Sequence, residues 1–298
     1  MEFKKAERKK AKLRLAITGP SGAGKTYSAL LLAKGMGKKI AVIDTEKDSA
    51  SLYSDLFDFD TLSLEAPFSP DRYIEAINAA VAAGYEVLII DSMSHEWNGS
   101  GGCLEMVDKA AKTRTGGNAY AAWSHVTPKH TAFLHTVLHS DIHIITTMRS
   151  KQDFILVEDS KGRTVPQKIG LAPIQRDGIE YEFTAILDIS LEGNYASVSK
   201  DRTRILSPDG FVVTEAHGKR LIDWLDSGID MRALDFATLD THTATIQKCS
   251  DMESLKASFM TGIAWAKTSQ YSSELIELLT KAKDETKSAL TTSEGDDE

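Results

Sequence analysis

The apolar positions of the first half of the chain fall into short runs separated by stretches with helical spacing. Leu13 to Thr18 is an apolar run that ends at a glycine-rich turn, the pattern of a buried strand. Thr26 to Lys34 has helical spacing and stops at Gly35 and Gly37. Ile40 to Asp44 predicts a second strand. Asp71 to Ala83 predicts a helix, with Pro70 before it and Gly84 after it. Glu86 to Asp91 predicts a third strand. Thr127-Pro128 reads as the cap and first residue of a helix reaching Ser140, and Ile142 to Thr147 as a fourth strand. This alternation predicts an α/β domain with a largely parallel sheet.

Beyond Thr147 the pattern changes. Phe154–Glu158 and Arg163–Lys168 flank Asp159-Ser160-Lys161-Gly162, and Glu180–Leu191 and Tyr195–Ser199 flank Glu192-Gly193-Asn194. Both predict hairpins, so the sheet is expected to continue with antiparallel strands. After Ser227-Gly228 glycine nearly vanishes and helical spacing returns, most clearly over Ser254–Lys267 and Ser272–Leu290. The expected organisation is a basic arm over 1–14, an α/β core over 15–228, a helical accessory module over 229–292 and an acidic tail over 293–298.

Composition narrows the class. With 42% hydrophobic and 26% charged residues the chain is an ordinary globular protein, not a disordered or fibrous one. No apolar run approaches the roughly 18 residues a membrane span requires, and the basic N-terminus has no apolar stretch and cleavage site behind it, so neither a membrane nor a secretory route is expected. Two cysteines, Cys103 and Cys249, make no disulfide framework and suit a reducing cytoplasm. The net charge of −8 hides an asymmetry, because seven basic residues face two acidic ones over residues 1–14. A global acidic balance argues against coating duplex DNA but leaves room for a local basic groove.

The chemistry centres on Gly19-Pro20-Ser21-Gly22-Ala23-Gly24-Lys25-Thr26, a full P-loop pattern set between a strand and a helix. Its glycines let successive N–H groups point at phosphates, and the helix adds its N-terminal dipole. ATP is the expected ligand, with Lys25 reaching the β- and γ-phosphates and the Thr26 hydroxyl on Mg²⁺. The strand Val87-Leu88-Ile89-Ile90-Asp91 ends in a carboxylate placed to order the same Mg²⁺ through water. Asp44-Thr45-Glu46 follows the second strand, whose end meets its neighbours at one sheet edge, so Glu46 is a candidate base for a water near the γ-phosphate. Glu96 competes for that role. His135 and His139 lie one helical turn apart, but the amphipathic pattern of that helix accounts for it without a metal, and no Cys pair or HExxH pattern accompanies them.

A P-loop, then a strand ending in Asp-Thr-Glu, then one ending in Ile-Asp-Ser resembles the RecA-type recombinase core. The stretch Gly170 to Phe183, followed by Ser199-Lys200-Asp201-Arg202-Thr203, is similar to bacteriophage RecA-like ATPases described as AAA-domain or Sak-type single-strand annealing proteins. The resemblance covers roughly residues 12–228. It implies that Glu46 is the catalytic glutamate, and that Lys200 and Arg202 reach across a subunit interface to a neighbour's γ-phosphate in a ring or filament. It also implies DNA-binding loops over about 113–120 and 149–172. The sequence departs from the recombinases in having Thr147 where they carry a glutamine sensor, and in having only 14 residues ahead of the core.

Two segments suit single-stranded DNA, where cations follow the backbone and aromatics stack on bases. From Lys109 to Ser140 there is no acidic residue, and Arg114, Gly116-Gly117, Tyr120 and Trp123 fall together. The second segment carries Arg149, Lys151, Lys161, Arg163, Lys168 and Arg176. The expected function is a DNA-recombination ATPase that binds single strands and promotes annealing or pairing, with a single-strand-binding or replication protein as a further partner. Two alternatives are a replication accessory ATPase of the helicase-loader type and a nucleotide-gated assembly switch with slow hydrolysis.

Overall fold

A computed structural model describes residues 5–158, 164–269 and 271–293; of residues 152–158, 164–170 and 292–293 it describes the backbone alone. The chain divides into two units, one spanning residues 11–225 and the other joining the N-terminal residues through Lys10 to residues from Asp226 onward.

The larger unit opens with β1 (Arg14–Gly19), α1 (Lys25–Gly35) and β2 (Ile40–Asp44), followed by β3 (Asp60–Ser63), α2 (Pro70–Ala82) and β4 (Val87–Asp91). Helices α3 (Ser94–Asn98), α4 (Cys103–Arg114) and α5 (Ala119–His139) lead into β5 (His143–Glu158) and β6 (Thr164–Pro173). It closes with β7 (Ala185–Ile189), β8 (Tyr195–Asp201), β9 (Phe211–Val212) and α6 (Glu215–Asp226). The nine strands form a sheet of order β3-β2-β4-β5-β1-β7-β8-β9, with β6 paired to β5. From β3 to β7 every pairing on that path is parallel, and β8, β9 and β6 add antiparallel edges. The expected class, a mostly parallel α/β sheet extended by antiparallel hairpins, is the class observed.

Period-two alternation sends successive side chains to opposite faces. Leu15, Ile17, Val42 and Ile89 pack under α1 and α6, whereas Ala16, Ile43, Leu88 and Ile90 pack under α2 and α5. Helices α1 and α6 approach through glycine: a Cβ on Gly35 would run into the Glu215 backbone, and one on Gly218 into that of Leu32. Arg14, counted with the basic arm in the sequence, lies buried in β1. Its guanidinium donates to the carbonyls of Leu13, Leu138, Ser140 and Ile142, which ties the end of α5 to β1.

Several sequence expectations are corrected. The helix expected to open at Thr127-Pro128 begins at Ala119, capped by the Asn118 side chain, which accepts the Ala121 N–H at 3.0 Å, and Pro128 lies inside it. Proline removes one ladder bond, but burial of Ala122 and Val126 before it and His130, Phe133 and Val137 after it carries the helix through. The segment expected as a loop over 113–120 is the tight junction of α4 and α5. The fourth strand and the first hairpin arm are one strand, β5, and the turn expected at 159–162 lies outside the described residues. Glu180–Leu191 divides into a short 3-10 turn over Ile179–Tyr181 and β7.

In the second unit α7 (Met231–Gln247), α8 (Met252–Ala266) and α9 (Ser272–Ser293) enclose a core of Leu239, Ile246, Leu255, Leu275 and Leu279. Asp230 and Asp251 cap α7 and α8 by accepting the N–H of Ala233 and Ser254. Lys9 bridges to Ile229, and Lys10 pairs with Asp230 at 3.0 Å. Among the described residues no helix is long and apolar enough to cross a membrane. The acidic tail at 294–298 lies outside them.

Candidate functional site

β1 delivers the chain to the sheet edge, and the loop after it wraps back onto α1. Gly22 and Gly24 take φ of 80° and 84°, the left-handed region that glycine enters without steric cost. A Cβ on Gly19 would strike the Ile189 carbonyl oxygen, so the loop sits directly against β7. Asn194, in the turn between β7 and β8, donates from Nδ2 to the Ala23 carbonyl at 2.8 Å and braces the loop from outside. Lys25 folds its Nζ back to the Pro20 carbonyl at 2.8 Å. Desolvation lowers the Lys25 pKa, opposed by the charges of Glu46 and Asp91.

Below the loop, β4 ends at Asp91, two strands from β1 with β5 between them. The Thr26 hydroxyl donates to one Asp91 carboxylate oxygen at 2.6 Å, and the Thr147 hydroxyl to the other at 2.5 Å. Burial raises the Asp91 pKa, and those two hydrogen bonds only partly offset it. A cavity of about 570 Å³ opens here, lined by Gly22, Gly24, Lys25, Thr26, Glu46, Asp91 and Arg149 among others. A hydroxyl and a carboxylate in contact form the hard oxygen donor set that Mg²⁺ takes. A glycine loop at a helix N-terminus is the donor set for phosphate. The residues present therefore fit a magnesium–nucleotide pair.

Asp44 builds the turn that carries Glu46. Its two carboxylate oxygens accept the N–H groups of Glu46 at 2.6 Å and Ala50 at 2.8 Å, while Lys47 and Asp48 take φ of 58° and 59°. The turn sends Glu46 to the cavity wall, where Oε1 accepts from Arg149 Nε at 3.0 Å and Nη2 at 2.9 Å. Both residues also line a second cavity of about 640 Å³, with Thr45, Phe68 and His95.

Glu96, the competing base, is fully buried and does not line the P-loop cavity. It bonds Cys103, His130 and Gln175. Lys200 and Arg202 stand on and just past the end of β8 that pairs with the start of β7, the edge opposite the P-loop. Lys200 Nζ donates to the carbonyls of Glu180 and Tyr181 at 2.8 and 2.7 Å, and Arg202 to Tyr181 at 3.1 Å. They do not join their own chain's cavity. Of the residues expected to meet DNA, Arg114 and Tyr120 flank the α4–α5 junction, both exposed, with Tyr120 at 90%. Trp123 instead stacks on Trp97 at 5.5 Å within a buried cluster. Lys151 is exposed on β5, whereas Arg149 is engaged by Glu46. Lys161 and Arg163 lie outside the described residues, as does the side chain of Lys168 in β6.

The sequence reading missed Asn194 as a brace of the P-loop and Arg149 as a partner of Glu46. Asn194 sits at positive φ in a Gly-Asn turn, which reads as a turn and nothing more. Arg149 stands two residues past Thr147 on β5, and only the parallel pairing of β5 with β1 brings it level with Gly19.

A family model described as an AAA domain matches residues 11–221. The chain is similar to a solved structure titled as the RadB recombinase, at 17% identity over 68% of this chain and 89% of that one, with a TM-score of 0.35. No curated protein sequence matches it.

Proposed function

From the chain's membership in the AAA-domain family, we propose that it is a RecA-like ATPase of DNA recombination that binds single-stranded DNA and promotes annealing or pairing. The observation that carries the reading is the convergence of Lys25, the Thr26–Asp91 contact and Glu46 on one cavity. The Thr26 hydroxyl and the Asp91 carboxylate would hold Mg²⁺, whose chemistry when bound would be to neutralise phosphate charge. The loop N–H groups and Lys25 would hold the ATP phosphates. Glu46 would accept a proton from an attacking water, the work of a general base within reach of the cavity. The α4–α5 junction with Arg114 and Tyr120, together with Lys151 on β5 and Lys161, Arg163 and Lys168, would carry the single strand. Lys200 and Arg202, away from their own cavity, would act on a neighbour's nucleotide in a homo-oligomer.

Turnover measured with and without single-stranded DNA tests this reading. Strong stimulation is expected. Slow turnover indifferent to DNA would favour a nucleotide-gated assembly switch, a reading supported by the Arg149 guanidinium that occupies the Glu46 carboxylate.

A further inference from the structure

Away from the P-loop, three helices bring together side chains that the function above does not use. Glu96 comes from α3, Cys103 opens α4 and His130 lies midway along α5, and all three are buried. Glu96 Oε1 lies 3.0 Å from Cys103 Sγ and 3.0 Å from His130 Nδ1, and Sγ and Nδ1 are 3.9 Å apart. We propose that Glu96, Cys103 and His130 form a site for a zinc-class divalent cation, one that fastens α3, α4 and α5 together.

The geometry supports a shared cation. Bonds of about 2.0–2.3 Å in a tetrahedral zinc site put neighbouring ligand atoms about 3.3–3.6 Å apart, and the three separations here bracket that range. The ligand types are those zinc takes, one sulfur, one imidazole nitrogen and one carboxylate oxygen. Charge supports it as well. A thiolate, a carboxylate and a neutral imidazole carry two negative charges, which a divalent cation cancels, and buried charge is tolerated when paired. On binding, the Cys103 thiol gives up its proton to solvent, and His130 holds its single ring proton on Nε2 with Nδ1 facing the metal. The fourth position falls to a water or to the second Glu96 oxygen, whose present partner is Gln175 Nε2 at 3.1 Å. Cys103 stands at the end of α4 away from the α4–α5 junction, and α3 follows the strand that ends in Asp91, so an occupied site would hold that end of the helix pair to α3.

Glu96 and Cys103 are seven positions apart and Cys103 and His130 are 27 apart, spacings that match no zinc signature. The helical pair His135 and His139, which the sequence pattern accounts for without a metal, is stacked ring on ring at the protein surface, with His139 Nδ1 at the His135 carbonyl.

Cobalt(II) titrated into the metal-stripped, nucleotide-free full-length protein tests the proposal without reference to ATP. Thiolate ligation gives a sulfur-to-cobalt charge-transfer absorption, which oxygen ligands at Thr26 and Asp91 do not. One cobalt per chain is expected, with that absorption bleached by added zinc. The chain has two cysteines, so Cys249→Ser should keep the band and Cys103→Ser should lose it. Retention in Cys249→Ser assigns the ligand even where Cys103→Ser fails to fold. Absence of the band from the wild-type protein, or its loss in Cys249→Ser, overturns the proposal.

Discussion

Arg149 donates twice to a single oxygen of Glu46, from Nε at 3.0 Å and from Nη2 at 2.9 Å, on the wall of the P-loop cavity. The carboxylate is thus aimed by a cation that a phosphate would also attract. Glu46→Gln keeps the shape and the hydrogen-bonding oxygen but removes the base. Turnover should fall about 10²–10⁴-fold with ATP binding retained. Glu96→Gln should act differently. Its carboxylate is buried among Cys103, His130 and Gln175, so the thermal midpoint should drop while turnover per folded molecule holds. A Glu96→Gln protein that folds normally and is dead in turnover would reverse the two assignments.

Lys25→Ala removes the cation nearest the loop. Hydrogen bonds to charged groups contribute about 1.5–3 kcal/mol each, so ATP affinity measured by calorimetry should weaken at least tenfold. The fold should not suffer, because among the described residues Lys25 hydrogen-bonds to the Pro20 carbonyl alone, and its desolvation lowers its pKa against the attraction of Glu46 and Asp91. Equal ATP affinity in wild type and variant would remove the cavity from consideration as the nucleotide site.

The order of strands and helices up to Asp91 was legible because buried parallel strands are short apolar runs and the P-loop fixes what lies on either side of it. Glu46 was legible for the same reason, since its strand end lies at the edge that collects ligands. The α4–α5 region was not. Ala119 to Val126 carries few large apolar residues, and Pro128 imitates a helix start, while the cap, Asn118, sits ten residues earlier beside a Gly-Gly pair. The Glu96–Cys103–His130 cluster was illegible on another ground: its members come from three helices whose packing, not their spacing, brings them together. Lys200 and Arg202 were visible as cations, but only the antiparallel register of β8 on β7 shows which edge they occupy.

Asp91 should make the nucleotide-free protein less stable than its burial would otherwise allow. Burial raises its folded pKa above the ordinary carboxylate value. The folded state therefore favours the protonated form, and stability contributed by that proton is lost as pH rises from the unfolded value through the folded one. Wherever the carboxylate is ionised it is desolvated, with the Thr26 and Thr147 hydroxyls as its donors. Asp91→Asn should raise the thermal midpoint of the nucleotide-free protein at neutral pH and abolish the further rise that Mg²⁺ and ATP give the wild type. A lower midpoint in the variant under metal-free conditions would show that the two threonine bonds outweigh the desolvation.

His143 predicts acid sensitivity of the larger unit. Its Nδ1 accepts the Leu13 N–H at 3.0 Å, which requires that nitrogen to be unprotonated. Burial, with repulsion from Lys12, Arg14 and Lys38, lowers its pKa from 6.5 to about 3. The sign follows from which state takes the proton. Above pH 6.5 both states hold the ring neutral, and the full contribution to stability is present. As pH falls through that value the unfolded chain binds a proton that the folded one refuses, so stability is lost down to the folded value. The slope for one proton approaches about 1.4 kcal/mol per pH unit. His143→Gln retains an acceptor for Leu13 and cannot titrate. Urea unfolding of both proteins across the range just below the unfolded histidine pKa isolates the difference, because Asp91 and the other carboxylates titrate alike in the two. The wild type should lose stability more steeply than the variant, and parallel curves would mean that His143 takes its proton in the folded state as readily as in the unfolded one.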